Sequence, residues 1–154
     1  MTTLFYAHLA TDNFERAYRK AYWRDWLKRL VGKPNNLLSF DDIPAELRHQ
    51  APHNLGLQAV LLNQIVGSEG RYHEFDQAFY PRQKRSKDRW VRVDQAHLAN
   101  VSLPPVELLK IGEYYFVRDG NHRVSVARAH GQAHIDARVT EIGRSQQSDS
   151  ARVC

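Results

Sequence analysis

The chain has 154 residues, 42% of them hydrophobic, and a formal net charge of +5. That length suits one domain with a short appendage, and no apolar run approaches the roughly 20 residues of a membrane span. The single cysteine, Cys154, excludes an intrachain disulfide, and at the end of a polar tail it has no base or oxyanion donor held beside it for nucleophilic chemistry.

The N-terminus, Met1-Thr-Thr-Leu-Phe-Tyr-Ala-His8, has neither the basic start nor the apolar core of a secretory signal, so the reading is a soluble, cytoplasmic protein with no membrane partner. Asp12 to about Val31 is expected to be helical, with Asp12 or Asn13 as N-cap and Gly32 as C-cap. Phe14, Ala17, Tyr18, Ala21, Tyr22, Trp26 and Leu30 fall at three- and four-residue spacings and make one apolar stripe. Asp41 to His49 is expected as a second, shorter helix with Pro44 in its first turn, and residues 50–56 as a turn-rich connection. Residues 1–56 thus form an N-terminal helical extension. The main domain, residues 57–142, opens on a short strand near Gln58–Leu62 and a glycine-bearing loop, Val66–Tyr72. A short helical stretch over His73–Phe79 follows, then a basic loop over Pro81–Arg89 and a helix over Val93–Asn100. Pro104-Pro105 forces an extended entry into a strand at Val106–Lys110, and Ile111-Gly112-Glu113 turns it into a return strand at Tyr114–Arg118. A helix over Asn121–His130, closed by Gly131, leads to a last strand at Ile135–Glu141. Tyr114 and Phe116 share a strand face and are expected in the core. Residues 143–154 are rich in Ser, Gln, Asp and Arg and are expected to be a disordered tail. The fold class is therefore α/β (α+β): a small mixed sheet with flanking helices.

The segment Asp119-Gly120-Asn121-His122-Arg123 carries the chemistry. A strand runs into Asp119-Gly120 and a helix starts at once, so the first backbone N–H groups of that helix, which lack intrahelical partners, converge at the positive end of its dipole. An anion fits there. Gly120 permits positive φ and a close approach. Asn121 can cap the helix or contact a ligand, His122 can donate a hydrogen bond or move a proton, and Arg123 offers a forked cation for phosphate oxygens. The alternative is a plain strand–turn–helix in which Asp119 and Asn121 are only turn and cap residues.

The stretch Leu103-Pro-Pro-Val106, then Tyr114-Tyr-Phe-Val-Arg-Asp-Gly-Asn-His-Arg-Val-Ser-Val-Ala-Arg128, then Gly131 and Ile135-Asp-Ala-Arg-Val-Thr-Glu141, resembles the ParB/sulfiredoxin superfamily. Val60-Leu-Leu-Asn-Gln-Ile65, with Arg71 and Phe75 behind it, is similar to that family's first strand and loop. The resemblance implies a ParB/sulfiredoxin-like fold over about Leu57–Ile142 and a box that holds nucleotide phosphates. Members clamp DNA with CTP, reduce sulfinic acids with ATP, phosphorylate free serine, or cleave nucleic acid. Carried over by motif, Gly120, Asn121, His122 and Arg123 are the phosphate-binding turn and Arg71 an arginine of the early loop. Two departures matter. Asp119–Arg123 contains no cysteine, which removes sulfinic acid reduction, and His122-Arg123 stands where partition proteins carry two arginines. The given chain also ends soon after Glu141, so a downstream DNA-reading domain is not expected.

The loop Gly67-Ser68-Glu69-Gly70-Arg71 is the second candidate, with Glu69 as general base or as a holder of Mg²⁺ on a nucleotide, the place where the serine-kinase relatives use a glutamate. Glu74 and Asp76 are weaker candidates. His130 and His134 are four apart, but Gly131 breaks the helix between them, so no protein-held metal is expected. Two blocks are strongly basic: residues 15–33 carry seven Lys and Arg against Glu15 and Asp25, and residues 82–92 carry six against Asp88. Basic blocks attract phosphate, and Lys84, Arg85, Lys87 and Arg89 are the nucleic-acid contacts this suggests. The leading function is binding of a nucleoside triphosphate with Mg²⁺, with hydrolysis or phosphoryl transfer by Glu69 and His122 as its extension. A DNA-binding or DNA-cleaving module and a non-catalytic interaction module, in either case open to homodimerisation, are the alternatives.

Overall fold

The structure, a computed structural model, describes residues 1–143. The expected tail from residue 144 on, with Cys154, lies outside the described residues. Among those described, no helix is long and apolar enough to cross a membrane.

Helix α1 spans Thr2–Leu30, starting nearly three turns before the expected Asp12. No helix breaker stands between Thr2 and Asp12, and Ala10 is buried on the same face as Phe14, Ala17 and Ala21, so packing continues the helix past the apparent cap. Asn13 caps nothing. Its side chain donates instead to Asp94, 2.9 Å away on another helix. The expected stripe splits: Phe14, Ala17 and Ala21 face the body, while Tyr22, Trp26 and Leu30 lie in solvent. Gly32, at φ +69°, ends the helix as expected.

Beyond α1 come strand β1 (Leu38–Ser39), a 3-10 turn at Phe40–Asp42, and helix α2, reduced to Ala45–Arg48. The continuous helix expected over Asp41–His49 is interrupted because Ile43, which precedes Pro44, is extended at ψ 136°. Strand β2 runs from Pro52 to Leu61, not from Gln58. The residues read as a turn are in the ladder because β6 (His134–Ile142) supplies partners out to Pro52↔Ile142, with a register shift absorbed between Asn54 and Gly56. The expected boundary between residues 56 and 57 thus falls inside β2. Strand β3 occupies Ile65–Ser68, the start of the expected glycine loop. Gly67 serves packing there: a Cβ would meet the Phe116 ring at 2.7 Å and would also overlap the Leu38 carbonyl.

The helical stretch expected over His73–Phe79 is only a 3-10 turn at Tyr72–Glu74. The buried Asp76 side chain accepts from the N–H groups of Ala78 and Tyr80, each at 2.9 Å, and this local turn competes with helix. Helix α3 spans Lys87–Leu98, so the basic loop expected to reach Arg89 ends early. What anchors its first turns is Trp90, fully buried, edge-on to Phe14 of α1 at 5.7 Å, with Nε1 donating to Ser125 at 2.9 Å. Strands β4 (Val106–Ile111) and β5 (Tyr114–Asp119) and helix α4 (Asn121–Ala129) match the expectation, as does β6.

The class is mixed α/β, and the sheet runs β1-β3-β5-β4-β6-β2. β1/β3, β3/β5 and β4/β6 are parallel, whereas β4/β5 and β2/β6 are antiparallel. Both faces are covered near the middle. Tyr115, Val117, Leu108 and Val106 pack with Val124 and Ala127 of α4, while Phe116 and Leu109 pack with Phe40 on the other face. Tyr115 is therefore core and Tyr114, at the hairpin, is exposed, the reverse of the expectation for Tyr114. A smaller cluster of Phe14, Ala17, Trp90 and Val126 joins α1, α3 and α4.

Candidate functional site

β3 and β5 are parallel neighbours, so the loop after β3 and the turn into α4 leave the sheet at the same edge. The carboxyl ends of parallel strands are where open sheets leave room for a ligand. A cleft of about 460 Å³ lies there, lined by Gly70 and Arg71 from the first loop, Arg118 to Arg123 from the second, and Arg89, Arg92 and Val93 from α3.

The turn is built as its residues require. Gly120 is the N-cap of α4 at φ +108°, and a Cβ there would stand 2.6 Å from Val106 Cγ1. No side chain caps α4, so the N–H groups of its first turn face the cleft unclaimed by the helix. Asn121 is only 7% exposed, yet among the described residues its Oδ1 has no hydrogen-bond partner. A buried, unpaired amide oxygen on a residue that lines a cleft invites an ordered water or, after a turn of the side chain toward the cleft, a ligand donor.

His122 packs edge-on against Phe75, ring centroids 5.3 Å apart, and its Nε2 is also buried without a partner. Burial pushes its pKa down to about 4; Glu74 pulls it back up, and Arg71 and Arg89 press it lower. The ring is therefore neutral at pH 7. That makes it a poor general base and a good neutral hydrogen-bond partner. The sign of the effect on stability follows. Above pH 6.5 neither the folded nor the unfolded imidazole is charged, and stability is complete. Between pH 6.5 and 4 the unfolded chain takes a proton that the folded chain resists, and stability falls. The loss at pH 4 is of order 2–3 kcal/mol after allowing for residual screening, and His122→Gln is expected to remove it. Urea midpoints of both proteins at pH 7 and pH 4.5 check this; an unchanged pH dependence in the variant would refute the assignment.

The arginines of the cleft divide into two kinds. Arg71 pairs with Glu74 at 3.1 Å, Arg118 with Glu69 at 3.1 Å, and Arg123 with Asp119 at 3.0 Å. Arg123 further donates to the carbonyls of Pro104 and Pro105 at 2.6 and 3.1 Å, so it ties the entry of β4 to the turn. Among the described residues, Arg89 and Arg92 have no carboxylate partner. Two guanidinium groups without a carboxylate partner among the described residues thus line the same cleft as a helix N-terminus, whose dipole also favours an anion.

Of the residues singled out from the sequence, Arg71, Asp119, Gly120, Asn121, His122, Arg123 and Arg89 meet at this cleft. Glu69 lies at its rim as the half-exposed partner of Arg118. Glu74 sits nearer His122 and also accepts from Ser86 Oγ at 3.1 Å. Lys84, Arg85 and Lys87 are elsewhere: Lys84 over the Tyr18 ring, Arg85 on Gln83, Lys87 on Glu15 of α1. Arg92 and Arg118 were not foreseen as site residues. Arg92 was legible in principle, because Arg89 and Arg92 are three apart and share a helix face once α3 is started at Lys87. Among the described residues, no group of three or more His, Cys, Asp or Glu is placed to hold a metal ion. Comparison with protein-family models, with curated proteins and with solved structures finds no match to this chain.

Proposed function

We propose that the protein binds the phosphate groups of a nucleotide at the cleft between the β3 loop, the N-terminus of α4 and the first turns of α3. The observation that carries this is the couple Arg89–Arg92, without a carboxylate partner among the described residues, lining one cleft with an uncapped helix N-terminus whose buried Asn121 Oδ1 has no partner among them either. Phosphate oxygens accept from the N–H groups of the first α4 turn and from the two guanidinium groups. Asn121 Oδ1, an acceptor, takes a hydroxyl or amino hydrogen of the same ligand once its side chain turns toward the cleft. The resemblance of the Asp119–Arg123 box to the ParB/sulfiredoxin superfamily supports the same ligand class.

Mg²⁺ in this reading arrives with a triphosphate, since the nearest carboxylates, Glu69, Glu74 and Asp119, are each engaged by an arginine. Phosphoryl transfer or hydrolysis is the extension of the proposal. His122 lines the cleft and Glu69 stands at the rim, so His122 is the better placed of the two to orient an attacking oxygen.

Calorimetric titration with the four nucleoside triphosphates and inorganic phosphate, with and without Mg²⁺, tests the binding. Arg89→Ala and Arg92→Ala are each expected to weaken the best ligand by about 1.5–3 kcal/mol, the scale of a charged hydrogen bond. Lys84→Ala and Arg85→Ala, outside the cleft, are expected to leave affinity unchanged. Full affinity in Arg89→Ala and Arg92→Ala, with the fold intact, would refute the site.

A further inference from the structure

α1 turns one face to the body through Ala10, Phe14, Ala17 and Ala21. On the opposite face Phe5, Trp23 and Trp26 are 63%, 56% and 49% exposed, a quantity of aromatic surface that a lone helix in water does not favour. Between these apolar ends lie His8, Asp12 and Arg19, all exposed. Among the described residues neither Asp12 nor Arg19 has an ion-pair partner. Phe5, His8, Asp12, Arg19, Trp23 and Trp26 recur at steps of three and four residues, with one double step, so they form a single stripe along the helix.

That stripe is self-complementary when reversed. We propose that α1 docks antiparallel on α1 of a second copy of this chain, with Phe5 against Trp26, His8 against Trp23 and Asp12 against Arg19. All three pairs share one midpoint, between Glu15 and Arg16, so a single two-fold axis satisfies every one of them. A two-fold interface requires this reciprocity: residue i meets j, and j meets i. Each pairing therefore occurs twice, giving four aromatic contacts at the ends and two Asp–Arg pairs flanking the centre. Opposite charge at Asp12 and Arg19 fixes the antiparallel direction, because a parallel pair in register would set Asp12 on Asp12 and Arg19 on Arg19. The body does not obstruct the approach, since the stripe lies on the far side of α1 from the buried face. Clefts of the two copies stay open, because none of the cleft residues belongs to α1.

Sedimentation velocity on the full chain over a wide concentration range tests the proposal. The wild type is expected to show a monomer–dimer equilibrium. Asp12→Arg and Arg19→Asp, each placing two like-charge pairs in the interface, are each expected to raise the dimer Kd at least about tenfold. The double charge swap is expected to restore dimerisation, a rescue that a loss of folding or of general solubility would not give. A monomer at all concentrations, or a dimer indifferent to both single substitutions, overturns the proposal, as does failure of the double swap to recover. Co-sedimentation of monomeric protein with anionic phospholipid vesicles, lost in Trp26→Glu, would assign the face to a membrane surface and also overturn it.

Discussion

Gly120→Ala is expected to abolish nucleotide affinity and to destabilise the fold by roughly 2–6 kcal/mol. Two effects add. At φ +108° the backbone lies where an L side chain is strained, at a cost of about 1–3 kcal/mol. The new Cβ would also stand 2.6 Å from Val106 Cγ1 and 3.1 Å from Arg123 Nη2. Val106 is fully buried at the start of β4, so it has no room to withdraw, and overpacking there costs a further ~1–3 kcal/mol. The turn relieves both by rotating, which re-aims the first N–H groups of α4 away from the cleft and pushes on the Arg123 contacts with Pro104 and Pro105. Urea unfolding reads the stability and calorimetry the affinity. Loss of stability with affinity retained would place the ligand away from the α4 N-terminus. Retention of both would show that the turn tolerates a side chain, against the geometry described.

What was legible in the sequence is the half of the sheet whose signals are local. β4, β5, α4 and β6 are bounded by Pro104-Pro105, by Gly112 and by Gly120 and Gly131 at positive φ, and these residues state their conformation without help from the rest of the chain. The elements that were misplaced are set by distant partners. β2 extends to Pro52 only because β6 offers a ladder, and β3 is a strand only because β5 and β1 flank it. α3 starts at Lys87 because Trp90 fits between Phe14 and Ser125, from two other helices. The candidate site shows the same division. The box Asp119–Arg123 was readable because a strand–glycine–helix junction announces itself. Arg89 and Arg92 were readable only as charge, since their common face depends on where α3 begins. Arg123 illustrates the converse: its type suggested a phosphate ligand, and the structure gives it carbonyl and carboxylate partners that no local pattern encodes.

Asp94→Ala is expected to cost about 3 kcal/mol or more in stability at pH 7 and to loosen α1 from the body. Asp94 is fully buried on α3, where its Oδ2 accepts from Asn13 of α1 at 2.9 Å and its Oδ1 accepts from Nε2 of His130, just past α4. One carboxyl group thus ties three helices. Its removal leaves the half-buried Asn13 amide without its partner and an empty space at the centre of the three-helix seam, while His130, exposed at the surface, turns to water. His97 stacks near His130 at 4.3 Å between ring centroids; burial lowers its pKa, the neighbouring His130 lowers it further, and Asp94 pulls it back. Without Asp94 that restoring attraction disappears, so the His97 pKa is expected to move lower still. Asp94→Asn separates geometry from charge: the amide keeps an acceptor for Asn13 and offers a donor to the Nε2 of His130, and the expected cost is only about 1 kcal/mol, one net hydrogen bond. Urea unfolding of the two variants gives the stabilities, and amide hydrogen exchange over α1 reports the loosening. An Asp94→Ala cost below about 1 kcal/mol would show that the apolar cluster of Phe14, Ala17, Trp90 and Val126 holds the three helices without the buried carboxyl. A larger cost in Asp94→Asn than in Asp94→Ala would mean that His130 cannot accept the amide hydrogen, and that the contact depends on the acid itself.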